Sequence, residues 1–196
     1  MYLFRHGEVD YVDASGQWVD DPDAVSLNDR GRAQASAMAA LFADVHVDKA
    51  ICSGLPRTVQ TAELVLAGRA LELEVVSGLQ EIRHGTGEVS GGYDICTDVA
   101  FSHWRASQKD ATFLGGERYH DFYARIAETM EHLLRDDSWH NLAVFAHGGT
   151  NAAALGWATD VGLPVAWAPA VMILMNGVYA LLAYPAGAAA DRFPAR

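Results

Sequence analysis

A chain of 196 residues can bury one complete hydrophobic core, and 51% hydrophobic with 20% charged residues is an ordinary globular composition. A formal charge of −11, from 25 acidic and 14 basic residues, speaks against nucleic acid or anionic membrane as partners, because both carry dense negative charge. No apolar run approaches the ~20 residues of a membrane span, and two cysteines outside any CxxC pair fit a reducing compartment, so a cytoplasmic protein is expected.

The N-terminus, MYLFRHGEVD, lacks the basic-then-apolar order of a leader. Residues 2–4 read instead as a short buried strand ending at Arg5, His6 and Gly7. An acidic stretch over 10–23 follows, and Asn28 is placed to cap an Ala-rich helix over 30–42 that ends near Ala43. Residues 49–52 read as a second strand, 53–56 as a turn and 57–66 as a helix, which puts Arg57 at a helix start. A third strand over 73–76 leads into a loop holding Glu81, Arg83 and His84, then a Gly-rich passage to Gly92. Phe122, Ile126, Met130 and Leu133 mark one face of a helix over 117–134.

Residues 142–146 form the fourth strand, followed by His147, Gly148, Gly149 and an Ala-rich helix over 150–159. Strand, glycine turn and helix make an anion-binding arrangement, because the first amides of the helix point at the ligand. Asn176-Gly177 between the apolar runs 171–175 and 178–182 signals a hairpin, and the Ala-rich tail after about 185 is expected to fray. Strands alternating with helices predict an α/β fold: a three-layer sandwich whose mostly parallel sheet has helices on both faces and an antiparallel edge hairpin. With no repeat or composition break, residues 1–196 read as one domain, and the apolar region 161–174 offers a patch for a possible homodimer.

Ligands in such folds bind beyond the C-terminal strand ends, where Arg5, His6 and His147 all fall. Two histidines, Arg5 beside one of them and Arg57 at a helix start make a positive pocket suited to a phosphoryl group. A neutral imidazole, either His6 or His147, can attack phosphorus there to give a covalent intermediate.

The chain resembles the histidine phosphatase superfamily, also called phosphoglycerate-mutase-like, in five motifs that occur in the family's order. These are LFRHGE at 3–8, SLNDRGRAQA at 26–35, SGLPRTVQTAE at 53–63, LQEIRHGTGEVSG at 79–91 and FAHGG at 145–149. The resemblance implies that His6 is the nucleophile, that Arg5, Arg57 and His147 bind the phosphoryl group, and that Glu81 donates a proton to the leaving oxygen; the Gly148 and Gly149 amides at the helix start are expected to add to the positive charge. It implies no cofactor and no metal. Glu63, Glu88 and Glu117 are alternative acids, and Cys52, Cys96, His103 and His120 lack any recognised zinc-ligand spacing.

The loop after His6 departs from the family, which commonly has threonine or serine, an aromatic residue and asparagine there. Its Asp10, Asp13, Asp20, Asp21 and Asp23 would repel a highly charged ligand if they face the mouth. Arg118 also stands where the family often has a small hydroxyl residue. Arg83, His84, Arg118, Tyr93, Phe101 and Trp104 are candidates for contacting the rest of the substrate, against plain solvation or packing. The short span between Glu81 and Glu117 favours hydrolysis of a small phosphomonoester over mutase-type transfer. The presence of all four pocket residues favours an enzyme over a non-catalytic phospho-ligand-binding domain of the same fold.

Overall fold

The computed structural model describes residues 1–12, 15–17, 19–85 and 110–160. Four strands pair in parallel in the order β1-β4-β2-β3: β1 Tyr2–Arg5, β2 Lys49–Cys52, β3 Leu73–Val75 and β4 Leu142–Ala146. Among the described residues four α-helices accompany them: α1 Asp29–Leu41, α2 Pro56–Val65, α3 Tyr119–Arg135 and α4 Gly148–Asp160.

The side-chain period of two along each strand divides the core in two. Leu142, Val144 and Ala146 of β4, with Ile51 of β2, meet Phe122, Ile126, Met130 and Leu133 of α3 and Ala153 and Ala154 of α4. Ala143 and Phe145, with Ala50 and Cys52, face Ala35 of α1 and Ala62 and Val65 of α2. Helices therefore cover both faces of a sheet whose central strand is buried throughout, as the predicted three-layer α/β sandwich requires.

The differences from expectation lie at element ends. Asn28 does cap α1, its side chain accepting from the Gly31 amide at 2.8 Å. Pro56 enters α2 at its first turn, where a missing N–H costs no hydrogen bond. The 148–149 glycine pair forms the first turn of α4 rather than a separate loop, and a 3-10 turn, Ser77–Leu79, follows β3. The hairpin at 171–175 and 178–182, the tail after 185 and the 161–174 patch lie outside the described residues.

The start of α1 is tied to the loop after β1. Glu8 accepts from Asn28 Nδ2 at 3.3 Å and lies 3.3 Å from Arg30 Nε, and its amide donates to Gln34 Oε1 at 2.9 Å. Gly31 permits this approach, since a Cβ there would overlap the Glu8 carbonyl oxygen. Gly31→Ala should therefore destabilise the protein by about 1–3 kcal/mol, the usual cost of overpacking. Thermal unfolding checks it, and an unchanged midpoint would show that the two backbones have room to separate.

Candidate functional site

Parallel pairing brings three distant segments level. Arg5 is in register with Ala146, and Cys52 with Phe145, so His6, Ser53 and His147 each follow a strand at the same edge of the sheet. The His6 amide donates to Ala146 O and the Ser53 amide to Phe145 O, both at 3.1 Å. The rings of His6 and His147 meet edge to face with centroids 5.2 Å apart.

His6 Nδ1 lies 2.7 Å from Gly7 O. A carbonyl only accepts, so Nδ1 carries the proton and Nε2 keeps its lone pair. The Gly7 amide in turn donates to Thr61 Oγ1 of α2 at 3.1 Å, which fixes the turn that carries the imidazole. Burial holds His6 down at about 4 against the ordinary 6.5, with Arg57 and Arg5 pushing the same way and the Gly7 bond opposing. The ring is thus neutral near pH 7, with its lone pair on Nε2.

His147 is fully buried, and its Nε2 lies 2.8 Å from Ser53 Oγ. Burial, followed by the charges of His6, Arg57, Arg5 and Arg125, lowers its pKa to about 2. Folding therefore excludes protons from both rings that the unfolded chain binds below pH 6.5. Their contribution to stability is full above pH 6.5 and is lost as the pH falls towards about 4 for His6 and about 2 for His147. Lowering the pH from 7 to 5 should cost roughly 2 kcal/mol per histidine, measured by urea unfolding in an oxyanion-free buffer. His6→Asn should remove one share of that loss, and an undiminished loss would assign the acid sensitivity to other groups.

Arg57, at the first turn of α2, is 3% exposed. Its Nη1 donates to Pro22 O at 2.9 Å, its Nη2 lies 3.7 Å from Asp23 Oδ1, and its Nε is buried without a hydrogen-bond partner among the described residues. Tyr11 lies under the Arg57 guanidinium, 5.9 Å from it to the ring centroid. Burial pushes the Tyr11 phenol above its ordinary value, opposed by Arg57 and Arg5 and reinforced by Glu81 and Asp23, so Tyr11 stands among the same charges. Gly148 lies against Arg5: a Cβ there would come 3.7 Å from Arg5 Nε.

Glu81 joins this group from the loop after the 3-10 turn. Its Oε2 accepts from the Gly149 amide at 2.9 Å and its Oε1 from the Ile82 amide at 3.0 Å. A Cβ on Gly149 would overlap Oε1, so the glycine lets the carboxyl reach the first turn of α4. One α4 amide, that of Gly149, is consequently taken by protein, while Gly148 lies against Arg5.

The other candidates are placed elsewhere. Glu117 is held by Arg125 at 2.8 Å and 3.1 Å and accepts from the Arg83 amide, while Glu63 is exposed. Arg118 is half exposed and paired with Asp121, His120 is exposed, and Arg83 and His84 sit in an exposed loop. Cys52 is buried in the core beneath α1 and α2. Among the described residues no group of three or more His, Cys, Asp and Glu side chains is arranged to hold a metal. Asp13, Glu88, Tyr93, Cys96, Phe101, His103 and Trp104 lie outside the described residues.

Sequence reasoning gave no role to Ser53, Thr58, Tyr11 or the Pro22–Asp23 backbone. Ser53 carried one usable signal, its position directly after a strand, as with His6 and His147.

A family model described as histidine phosphatase superfamily (branch 1) matches residues 1–190. The adenosylcobalamin/alpha-ribazole phosphatase of Escherichia coli strain K12 is 28% identical over 166 residues, 84% of this chain and 80% of that protein. The solved alpha-ribazole phosphatase from Shigella flexneri aligns with a TM-score of 0.64 at 27% identity, over 87% of this chain and 82% of its own. The mycobacterial glucosyl-3-phosphoglycerate phosphatase aligns with a TM-score of 0.62 at 28% identity, over 86% and 82%.

Proposed function

The chain belongs to the histidine phosphatase superfamily (branch 1), and we propose that its phosphomonoester hydrolysis runs through His6 as the phosphorylated residue. One observation carries this reading: His6 presents an unprotonated Nε2 because Nδ1 is committed to Gly7 O, and it does so beside Arg57, Arg5 and His147.

His6 Nε2 attacks phosphorus, the P–N bond forms, and the P–O bond to the alcohol breaks. Glu81 gives its proton to the departing oxygen. Water then attacks the phosphohistidine, Glu81 takes a proton from it, the P–N bond breaks and inorganic phosphate leaves. Arg5, Arg57, His147 and the Gly148 amide stabilise charge on the transferring oxygens throughout.

Because these groups supply the positive charge, EDTA should leave turnover of p-nitrophenyl phosphate unchanged, and tungstate should inhibit competitively. Loss of activity in EDTA with recovery on adding zinc or magnesium would overturn this account of the pocket.

The substrate class follows from the mouth. Asp23 places a carboxylate 3.7 Å from Arg57, which disfavours a second anionic group near the phosphoryl group. The substrate is therefore a small phosphomonoester whose remaining part is not anionic, and a screen of phosphorylated metabolites tests this by comparing neutral alcohol phosphates with phosphoglycerates and bisphosphates. The same charge disfavours mutase-type transfer between hydroxyls of an acidic substrate.

We read residues 1–196 as one domain, a reading supported by the family match over 1–190. No helix among the described residues is long and apolar enough to cross a membrane. Cytoplasmic placement is supported by the cysteine content.

A further inference from the structure

His147 has two ring nitrogens, and the structure commits one of them. Thr58 Oγ1 lies 2.8 Å from Leu55 O, which only accepts, so the single Thr58 hydroxyl proton points there. Ser53 Oγ, 2.9 Å from Thr58 Oγ1, must then donate to Thr58. With its own proton used in that way, Ser53 Oγ meets His147 Nε2 at 2.8 Å as an acceptor. The neutral imidazole is consequently protonated on Nε2 and carries its lone pair on Nδ1. Nδ1 is buried and has no hydrogen-bond partner among the described residues.

A lone pair is the wrong group to meet a phosphoryl oxygen, which is itself an acceptor. The cations near His147 come from three directions: Arg5 at the end of β1, Arg57 on α2 and Arg125 on α3. His6 lies edge-on to the ring, and Glu81 sits on the neighbouring Gly149 amide. Burial first, and then the surrounding cations, keep His147 neutral. A doubly charged oxyanion reverses that balance, because it offsets the arginine charges and offers an acceptor for a new Nδ1–H.

We propose that binding of a phosphoryl group is coupled to uptake of one proton at His147 Nδ1, and that the Ser53–Thr58 hydroxyl pair imposes this coupling by holding the ring in its Nε2–H tautomer. The balance is simple: a proton from solvent bonds to Nδ1, Nε2–H stays on Ser53, and the imidazolium donates to the bound oxyanion. The inference rests on the phosphoryl-pocket reading above. Ser53 and Thr58 are positioning residues in this scheme, acting on the ligand only through His147.

The pair can be tested by reversing its polarity. Thr58→Val keeps the shape of the side chain but removes the acceptor for Ser53. The Ser53 hydroxyl is then free to donate to His147 Nε2, which moves the ring proton to Nδ1 and supplies the donor in advance. Thr58→Ser retains the hydroxyl and the original polarity.

Tungstate is a suitable probe because it stays a dianion near neutral pH. Calorimetric titration at pH 7.5 in buffers of different ionisation enthalpy counts the protons taken up per oxyanion bound. The wild type and Thr58→Ser should show uptake, and Thr58→Val about one proton fewer than either, as the linkage between binding and protonation requires. In ¹⁵N spectra of the unliganded proteins, the His147 signals should exchange tautomeric assignment between wild type and Thr58→Val. No uptake by the wild type would overturn the proposal, and so would equal uptake in Thr58→Val, which would assign the proton to His6. Failure of tungstate to bind the wild type at all would overturn the phosphoryl-pocket reading itself.

Discussion

His6→Ala should turn over phosphomonoesters roughly 10⁴-fold more slowly than the wild type or worse, the order of loss seen when a covalent nucleophile is removed. The motivation is local. Nδ1 is pinned to Gly7 O at 2.7 Å, which leaves Nε2 unprotonated and directed away from the backbone, whereas the unprotonated nitrogen of His147 is its buried Nδ1, which on the proposal above takes up a proton when the phosphoryl group binds. Acid-quenched wild type should carry phosphate that is labile to acid and stable to base, as a phosphoramidate is, and the variant should carry none.

Folding should survive the change. The His6 side chain makes its bond to the adjacent residue, and the hydrophobic clusters on either face of the sheet do not include it. An alanine there also has no proton to exclude, so acid sensitivity should fall. Circular dichroism and the unfolding midpoint would separate loss of chemistry from loss of structure. Turnover within tenfold of wild type by a folded His6→Ala protein would end the assignment.

What could be read without the structure follows from the physical range of each signal. Apolar runs bounded by polar residues located β2 and β4 at their observed limits, and a side-chain amide before an Ala-rich segment located the cap of α1. Those signals are local. The order β1-β4-β2-β3 is not, because it depends on which buried edges pair across the chain, and that order puts Ser53 beside His147.

The acidic loop illustrates the same limit. Its composition announced a possible repulsion, but only the fold turns Pro22 O and Asp23 onto the Arg57 guanidinium. Among the glutamates, the sequence leaves Glu63, Glu88 and Glu117 as rivals of Glu81, of which Glu63 is exposed and Glu88 lies outside the described residues. Partners distinguish Glu117 from Glu81: Glu117 is bound by Arg125, whereas Glu81 accepts from the first turn of the helix that follows His147. That difference in partners rests on a contact between segments far apart in the chain.

Glu81→Gln should lower the rate of His6 phosphorylation by an alkyl phosphate by ~10²-fold or more, the usual size of a general-acid contribution. An alkoxide leaves poorly without a proton, and an amide cannot supply one. An activated aryl phosphate, whose leaving oxygen needs little help, should lose far less. Each Glu81 oxygen has one bond to a backbone amide, Gly149 for Oε2 and Ile82 for Oε1, and a carboxyl oxygen has a further lone-pair site on which to hold or pass a proton. Glutamine retains only one of those two acceptors, so a structural penalty at the start of α4 is expected as well, and the design has to separate it from the chemical one. The leaving-group comparison does so, because disturbing the first turn of α4 slows both substrates alike, whereas losing the acid slows only the ester that needs it. Pre-steady-state phosphorylation with both substrates isolates that first step from release of phosphate. Equal losses would make Glu81 a support for Gly149 and the helix that binds the phosphoryl group, and the proton for the leaving oxygen would then have to come from another residue.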